Sequence, residues 1–264
     1  MGELSVTEED YVIAVDGGLS YCGLLNVEPD LIIGDFDSMS EQEKLAVEQL
    51  QQTVPEKICR LPECKDDTDM LAAIKRGLEL DYTDFRIYAA TGGRFDHTLA
   101  NIQCLLYLKN HGAVGYLVDG TGMVLVLQNE AVHFRKELEG TMSLFALTKE
   151  AKGVNIRGMK YPLENAVITN DFPIGISNEF LGEEGNRTIK PTAGEPSPGN
   201  GSVYIHAVPE IIGCQSAFRP EVYLLWRPGL DQTAGKHQGD PVGHGQGLLP
   251  VMGHQDHSHM EFPL

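Results

Sequence analysis

The chain reads as an α/β protein in three parts. A doubly wound parallel-sheet domain is expected over residues 1–119, a small all-β sandwich domain over 120–190, and a disordered C-terminal tail over 191–264. Three observations predict this. Up to about residue 119, short β-prone apolar runs alternate with helix-length amphipathic stretches, the pattern of a parallel sheet with helices on its faces. Between 120 and 190 helical periodicity gives way to short β-like runs. From Pro191 the composition changes, with nine of the 14 prolines and 11 of the 29 glycines in that last stretch, and aperiodic Pro/Gly-rich sequence is characteristic of disorder.

The elements follow in order. Tyr11–Val15 is a strand that runs into Asp16-Gly17-Gly18, and Leu31–Ile33 is a second that runs into Gly34-Asp35. Residues 40–52 form a helix with Ser40 as N-cap and Glu43 at the capping-box position. Lys57–Leu61 is a weaker strand. The next helix begins near Asp67 or Thr68, with Met70, Ile74 and Leu78 on one face. Phe85–Ala90 is a strand; Asp96 is expected to cap a helix carrying Leu99, Ile102 and Leu106; Val114–Val118 follows as a strand. Asp119–Gly122 turns into Met123–Leu127, and β-like runs recur at 141–147, 153–157 and 166–169. Within the tail, strand-like runs survive at 202–207 and 222–226; the histidines at 244, 254, 257 and 259 lack cysteine partners or helical spacing and read as solvated.

Composition narrows the function. A net charge of −18 argues against non-specific binding to nucleic acid or an anionic membrane, and is compatible with a cationic small substrate. The five cysteines are odd in number and include no CxxC pair, which suits reduced thiols in a cytoplasmic protein. Met1-Gly2-Glu3-Leu4-Ser5 lacks the apolar core of a signal peptide, and no apolar run reaches spanning length.

The chemistry-bearing residues lie in loops just past strands. Asp35 and Asp37 flank Phe36; in extended backbone both would point the same way and share a divalent cation. Turn or capping duty is the competing reading for that pair. Lys65-Asp66-Asp67-Thr68-Asp69 sits at a strand-to-helix junction, where helix capping explains one or two acids but not three beside a lysine. Thr91-Gly92-Gly93-Arg94-Phe95-Asp96-His97 offers close backbone approach, free N–H groups at a helix start and a guanidinium for phosphate oxygens. No Walker A pattern is present, and His97 reads as a helix-surface residue. Three acidic clusters opening three crossover helices would meet at the carboxyl edge of the sheet, where open α/β sheets bind ligands. Carboxylates, an arginine and a glycine-rich helix start are the parts of Mg²⁺-dependent phosphoryl-transfer chemistry.

Asp16-Gly17-Gly18, Pro29 through Ser38, Lys65 through Asp69 and Gly92 through His97, in that order, closely resemble the motifs of the thiamine pyrophosphokinase family. Gly158–Leu163 and Ile176–Glu179 look like that family's thiamine-binding domain, so the resemblance covers roughly residues 10–185. It implies a homodimer with active sites between subunits. The implied reaction moves a diphosphate group from ATP to the hydroxyl of thiamine, giving thiamine diphosphate and AMP, with Mg²⁺ as cofactor. By the same resemblance, Asp35, Asp37 and Asp69 hold Mg²⁺ and, with Arg94, form the catalytic set. Asp16, Gly17, Thr68, Arg94 and Asp96 line the ATP and diphosphate site, Ser177 and Asn178 contact thiamine, and Asp66 and Asp67 are left as capping or supporting residues. Two departures stand out: only about ten residues precede Tyr11, so a strand the family places upstream is expected to be missing, and the Pro/Gly-rich ending replaces a short β-rich one. Those altered ends keep open a truncated, inactive thiamine or nucleotide binder. Asp35 and Asp37 also keep open a metal-dependent phosphohydrolase.

Overall fold

The computed structural model describes residues 6–37, 39–91, 93–119, 122–134 and 140–181, and the backbone of three further strands at 187–191, 202–209 and 221–227. The α/β part contains β1 (Tyr11–Asp16), α1 (Gly18–Leu25), β2 (Leu31–Gly34), α2 (Glu41–Thr53), β3 (Ile58–Arg60), α3 (Asp69–Glu79), β4 (Asp84–Tyr88), α4 (Phe95–Asn110) and β5 (Val114–Val118). The β part adds β6 (Met123–Gln128), β7 (Val132–Phe134), β8 (Gly140–Ala146), β9 (Glu150–Ile156), β10 (Leu163–Thr169), β11 (Asn178–Glu179), β12 (Arg187–Pro191), β13 (Ser202–Pro209) and β14 (Glu221–Arg227).

A ten-stranded sheet runs in the order β11-β8-β13-β6-β5-β4-β14-β1-β2-β3. From β5 to β3 neighbouring strands are parallel, while β6, β13, β8 and β11 extend the sheet antiparallel. A second, antiparallel sheet has the order β10-β9-β12-β7. The expected parallel-sheet α/β domain followed by an antiparallel β domain is therefore present, with one sheet continuous through both. Of the tail, the runs at 202–207 and 222–226 form β13 and β14, and its remaining residues from 192 onward, with the expected disorder, lie outside the described residues. β14 lies parallel between β1 and β4, pairing Val12 with Tyr223 and Ile87 with Leu224. It thus fills a central place in the sheet.

The parallel strands are buried on both faces, as a helix-covered sheet requires. Ile13, Val15, Ile33, Phe85 and Ile87 pack with Met70 and Ile74 of α3 and Leu105 and Leu108 of α4. On the opposite face Val12, Ala14 and Ile32 pack with Cys22 of α1, Val47 of α2, Phe36 and Met39. The β part has its own core of Leu125, Leu127, Met142, Leu144, Val154, Ile156 and Phe180. Alternation of inward side chains along β6, β8 and β9 places these residues between the two sheets.

Local signals explain most boundaries. Ser40 caps α2 in a full capping box: Glu43 N donates to Ser40 Oγ at 3.3 Å, and Ser40 N donates to Glu43 Oε2 at 2.8 Å. Thr68 caps α3, its hydroxyl accepting from Leu71 N at 3.2 Å. One expectation for α4 needs correction. Arg94, not Asp96, is the N-cap, and Asp96 lies in the first turn. Leu99 is exposed, while Asn101, Cys104, Leu105 and Leu108 face the core. Ile102 and Leu106 are partly buried and pack against the same core as Leu105 and Leu108.

Candidate active site

Three adjacent parallel strands deliver three carboxylates to one edge. Asp16 is the last residue of β1, Asp35 follows the last residue of β2, and Asp69 opens α3 after β3. Each offers a carboxylate oxygen within 4.8 Å of the others, the one such metal-ligating trio among the described residues. This is the carboxyl edge at which a doubly wound sheet binds its ligand.

Backbone conformation builds the trio. Asp16 adopts φ 48°, which turns its side chain back under the neighbouring loop. Its Oδ1 accepts from Phe36 N at 3.4 Å. Gly34 makes room: a Cβ there would stand 2.0 Å from Asp16 Oδ1. Phe36 is also left-handed, at φ 65°, and its ring is buried beneath the Arg60 guanidinium, 4.9 Å from the ring centroid. The segment is therefore a turn rather than extended backbone, yet it keeps the Asp37 side chain within hydrogen-bond reach of the Asp35 carboxyl, which that contact helps to hold down. Asp37 is exposed and outside the trio; its N–H donates to Asp35 Oδ1 at 3.2 Å.

Lys65 closes the cluster. Its ammonium stands 2.8 Å from Asp35 Oδ2 and 3.0 Å from Asp69 Oδ1. Burial, with the charges of Asp69, Asp35 and Asp37, pushes the Asp16 carboxyl up to about 7, against a weaker opposing pull from the Phe36 N–H. Burial also raises Asp35, but hydrogen bonds from Lys65 and the Asp37 N–H outweigh it and hold that carboxyl below its ordinary value. For Lys65 burial acts downward, and its contacts with Asp35 and Asp69 prevail, raising it.

The donor set fits a hard divalent cation. All three ligands are carboxylate oxygens, and with all ionised against one ammonium the cluster keeps a net charge of −2 (three minus one). Asp69 Oδ1 is buried and, apart from the ion pair with Lys65, accepts no hydrogen bond. A bound cation would satisfy that lone pair.

The other expected site residues are distributed around this centre. Gly17 and Thr68 are the N-caps of α1 and α3, beside Asp16 and Asp69 in the chain. Asp67 pairs with Lys75 at 2.6 Å, and Asp66 is exposed. Arg94 and Asp96 are exposed and pair with each other, Nη2 to Oδ2 at 2.5 Å and Nε to Oδ1 at 3.2 Å. Both are outside the trio. In the β part, Ser177 is an exposed residue at φ 55° whose N–H donates to Ser143 Oγ at 3.1 Å. Asn178 is buried, its amide spanning the Tyr161 backbone: Tyr161 N donates to Oδ1 at 2.9 Å and Nδ2 donates to Tyr161 O at 2.8 Å. Asn178 thus fixes the backbone that presents the exposed Tyr161 ring.

Sequence reasoning passed over Asn101. It is buried in α4 and donates through Nδ2 to Ala90 O at 2.9 Å, holding the chain just after left-handed Ala89 and just before the Thr91–Arg94 loop. An asparagine inside an otherwise apolar helix face was the available signal.

An α/β sheet with a carboxylate trio at its carboxyl edge, followed by antiparallel β-structure, is an arrangement suited to a divalent cation and a phosphate ligand. Residues 3–116 match the model for "Thiamin pyrophosphokinase, catalytic domain", and residues 129–194 the model for "Thiamin pyrophosphokinase, vitamin B1 binding domain". The chain is 32% identical over 177 residues to thiamine pyrophosphokinase of Bacillus subtilis, covering 66% of this chain and 79% of that one. The crystal structure of thiamine pyrophosphokinase from Bacillus subtilis aligns at TM-score 0.62 and 26% identity, over 78% of this chain and 91% of that one. That of the Geobacillus thermodenitrificans protein aligns at TM-score 0.61 and 25% identity, over 79% and 90%. The chain belongs to the thiamin pyrophosphokinase family.

Proposed function

We propose that the chain transfers a diphosphate group from ATP to the hydroxyl of thiamine, giving thiamine diphosphate and AMP. The observation that carries this reading is the Asp16–Asp35–Asp69 trio at the carboxyl edge of the sheet in a chain of this family. The hydroxyl oxygen forms a bond to the β-phosphorus of ATP and gives up its proton to solvent, the bond from that phosphorus to the α,β-bridging oxygen breaks, and AMP leaves with the bonding pair. Mg²⁺, when bound, supplies charge neutralisation along the phosphate chain.

Asp35 and Asp69 are the proposed metal ligands that the sequence and the geometry both favour; Asp16 joins them by position, and Asp37 borders them from the exposed side. Gly17 and Thr68 offer helix N-termini to the phosphates, although the Thr68 hydroxyl already accepts from Leu71 N. Arg94, paired with Asp96 at the exposed start of α4, is assigned to grip phosphate oxygens, with Asp96 orienting the guanidinium. The Ser177–Asn178 turn, with Tyr161 beside it, is assigned to thiamine. An acidic chain suits a cationic substrate. A homodimer with active sites between subunits is part of this proposal, supported by exposed Phe172, Ile174, Ile176 and Leu181 around the same turn. So is a cytoplasmic location, supported by the free thiols of Cys22, Cys59, Cys64 and Cys104. No helix is long and apolar enough to cross a membrane among the described residues.

The test is an end-point measurement of AMP from Mg-ATP with and without thiamine. Thiamine-dependent AMP with matching thiamine diphosphate is the expected result. Phosphate release indifferent to thiamine would point to hydrolysis. Calorimetric thiamine binding with no AMP would make the chain a binder and refute the activity.

A further inference from the structure

We propose that Lys65 is a built-in counter-ion that keeps the carboxylate trio assembled without metal and resists metal alone, then moves onto the phosphate chain when metal and nucleotide arrive together. The inference rests on the diphosphotransfer reading above and names a coupling within the same site. Its basis is the position of one ammonium. Lys65 Nζ hydrogen-bonds Asp35 Oδ2 at 2.8 Å and Pro62 O at 3.2 Å, and stands in an ion pair 3.0 Å from Asp69 Oδ1. Its side chain is 14% exposed, and those of Asp35 and Asp69 are 13% and 17% exposed, so water screens the three groups poorly.

A cation bound by Asp35 and Asp69 needs the lone pairs that Lys65 now faces, at ligand distances of about 2.1 Å. An ammonium and a divalent cation cannot both sit in direct contact with the same two oxygens without strong repulsion. Metal binding therefore requires the lysine to withdraw. Its four-carbon stem permits that movement, and its tether to Pro62 O keeps it at the rim. The displaced ammonium then lacks an anion, and a nucleotide's phosphate chain supplies one in the same place. Metal without nucleotide pays the displacement with no such compensation, so metal and nucleotide bind with positive coupling.

The experiment measures Mn²⁺ binding to the full chain by electron paramagnetic resonance, first alone and then with a non-hydrolysable ATP analogue. Compared are the wild type, Lys65→Gln and Lys65→Arg, each checked for folding by circular dichroism. With Mn²⁺ alone, Lys65→Gln is expected to bind about tenfold tighter than wild type, and Lys65→Arg to bind as weakly as wild type. With the analogue, wild type is expected to gain at least about tenfold in Mn²⁺ affinity and Lys65→Gln to lose most of that gain. Equal or weaker Mn²⁺ binding by folded Lys65→Gln would overturn the proposal, as would a nucleotide-induced gain of wild-type size in that variant. An unfolded Lys65→Gln leaves the decision to the wild type and Lys65→Arg, in which a missing nucleotide-induced gain refutes the coupling. These readouts do not require turnover, so a chain inactive in the AMP assay fails the functional reading without deciding this one.

Discussion

Asp16→Asn should make the metal-free protein more stable at neutral pH while abolishing its activity. Asp16 is buried beside Asp35 and Asp69, and burial with their charges raises its carboxyl from 3.8 to about 7. Between about pH 4 and 7 the folded chain therefore holds more protons at this position than the unfolded chain, so this group's contribution to stability falls as pH rises. At about 1.4 kcal/mol per pH unit, and allowing for local relaxation, ionised Asp16 costs about 2–4 kcal/mol by pH 8. Asparagine removes that cost with little else changed. It retains an oxygen for the Phe36 N–H, and it tolerates φ 48° better than most residues. The assay is urea unfolding of both proteins in EDTA at pH 5 and pH 8. Because other groups titrate too, the informative quantity is the difference between variant and wild type, expected to be larger at pH 8 by most of that cost. Saturating Mg²⁺ should then stabilise wild type and leave the variant nearly unchanged. An Asp16→Asn protein no more stable than wild type at pH 8 would refute the claim that the fold forces these carboxylates together.

Two further expectations concern the scaffold. Gly34→Ala would place a Cβ 2.0 Å from Asp16 Oδ1 and 2.9 Å from its Cγ. Displacement of that carboxylate is expected to lower AMP formation by about 100-fold, with stability reduced by about 1–3 kcal/mol in thermal unfolding; unchanged turnover would remove Asp16 from the site. A chain ending at Pro220 would lack β14, which pairs with Tyr11–Asp16 on one side and Asp84–Tyr88 on the other. Two central strands would lose their ladder bonds, so soluble folded protein by circular dichroism is not expected, and its recovery would disprove the central placement of β14.

The sequence made the local features of the fold legible and left the non-local ones hidden. β1, β2, β5 and the α2 capping box follow from apolar runs, turn residues and a four-residue cap, all encoded within a few positions. The place of β14 does not, because a Val222–Trp226 run can pair anywhere in a sheet until long-range contacts choose for it. The site divides in the same way. Strand ends and acidic loops located it at the carboxyl edge, yet left open which carboxylates meet. That depends on left-handed Phe36, a conformation unusual for a bulky side chain, stabilised by burial of its ring under Arg60. Asp35-Phe36-Asp37 is thus a turn and not extended backbone, although the two carboxyls stay within reach of each other.

The arrangement carries an electrostatic conflict that bears on order of binding. Three carboxylates within 4.8 Å repel one another, and they repel a polyphosphate as well. The fold tolerates the first repulsion through the space left by Gly34, the buried Phe36 anchor and the bridging Lys65. None of these neutralises the second, since one ammonium against three carboxylates leaves the cluster negative. Free nucleotide should therefore be rejected by the same charges that bind its metal complex. Selectivity for the metal-loaded nucleotide then arises from concentrated negative charge, and the stability that this charge costs the empty protein is recovered when the complex binds.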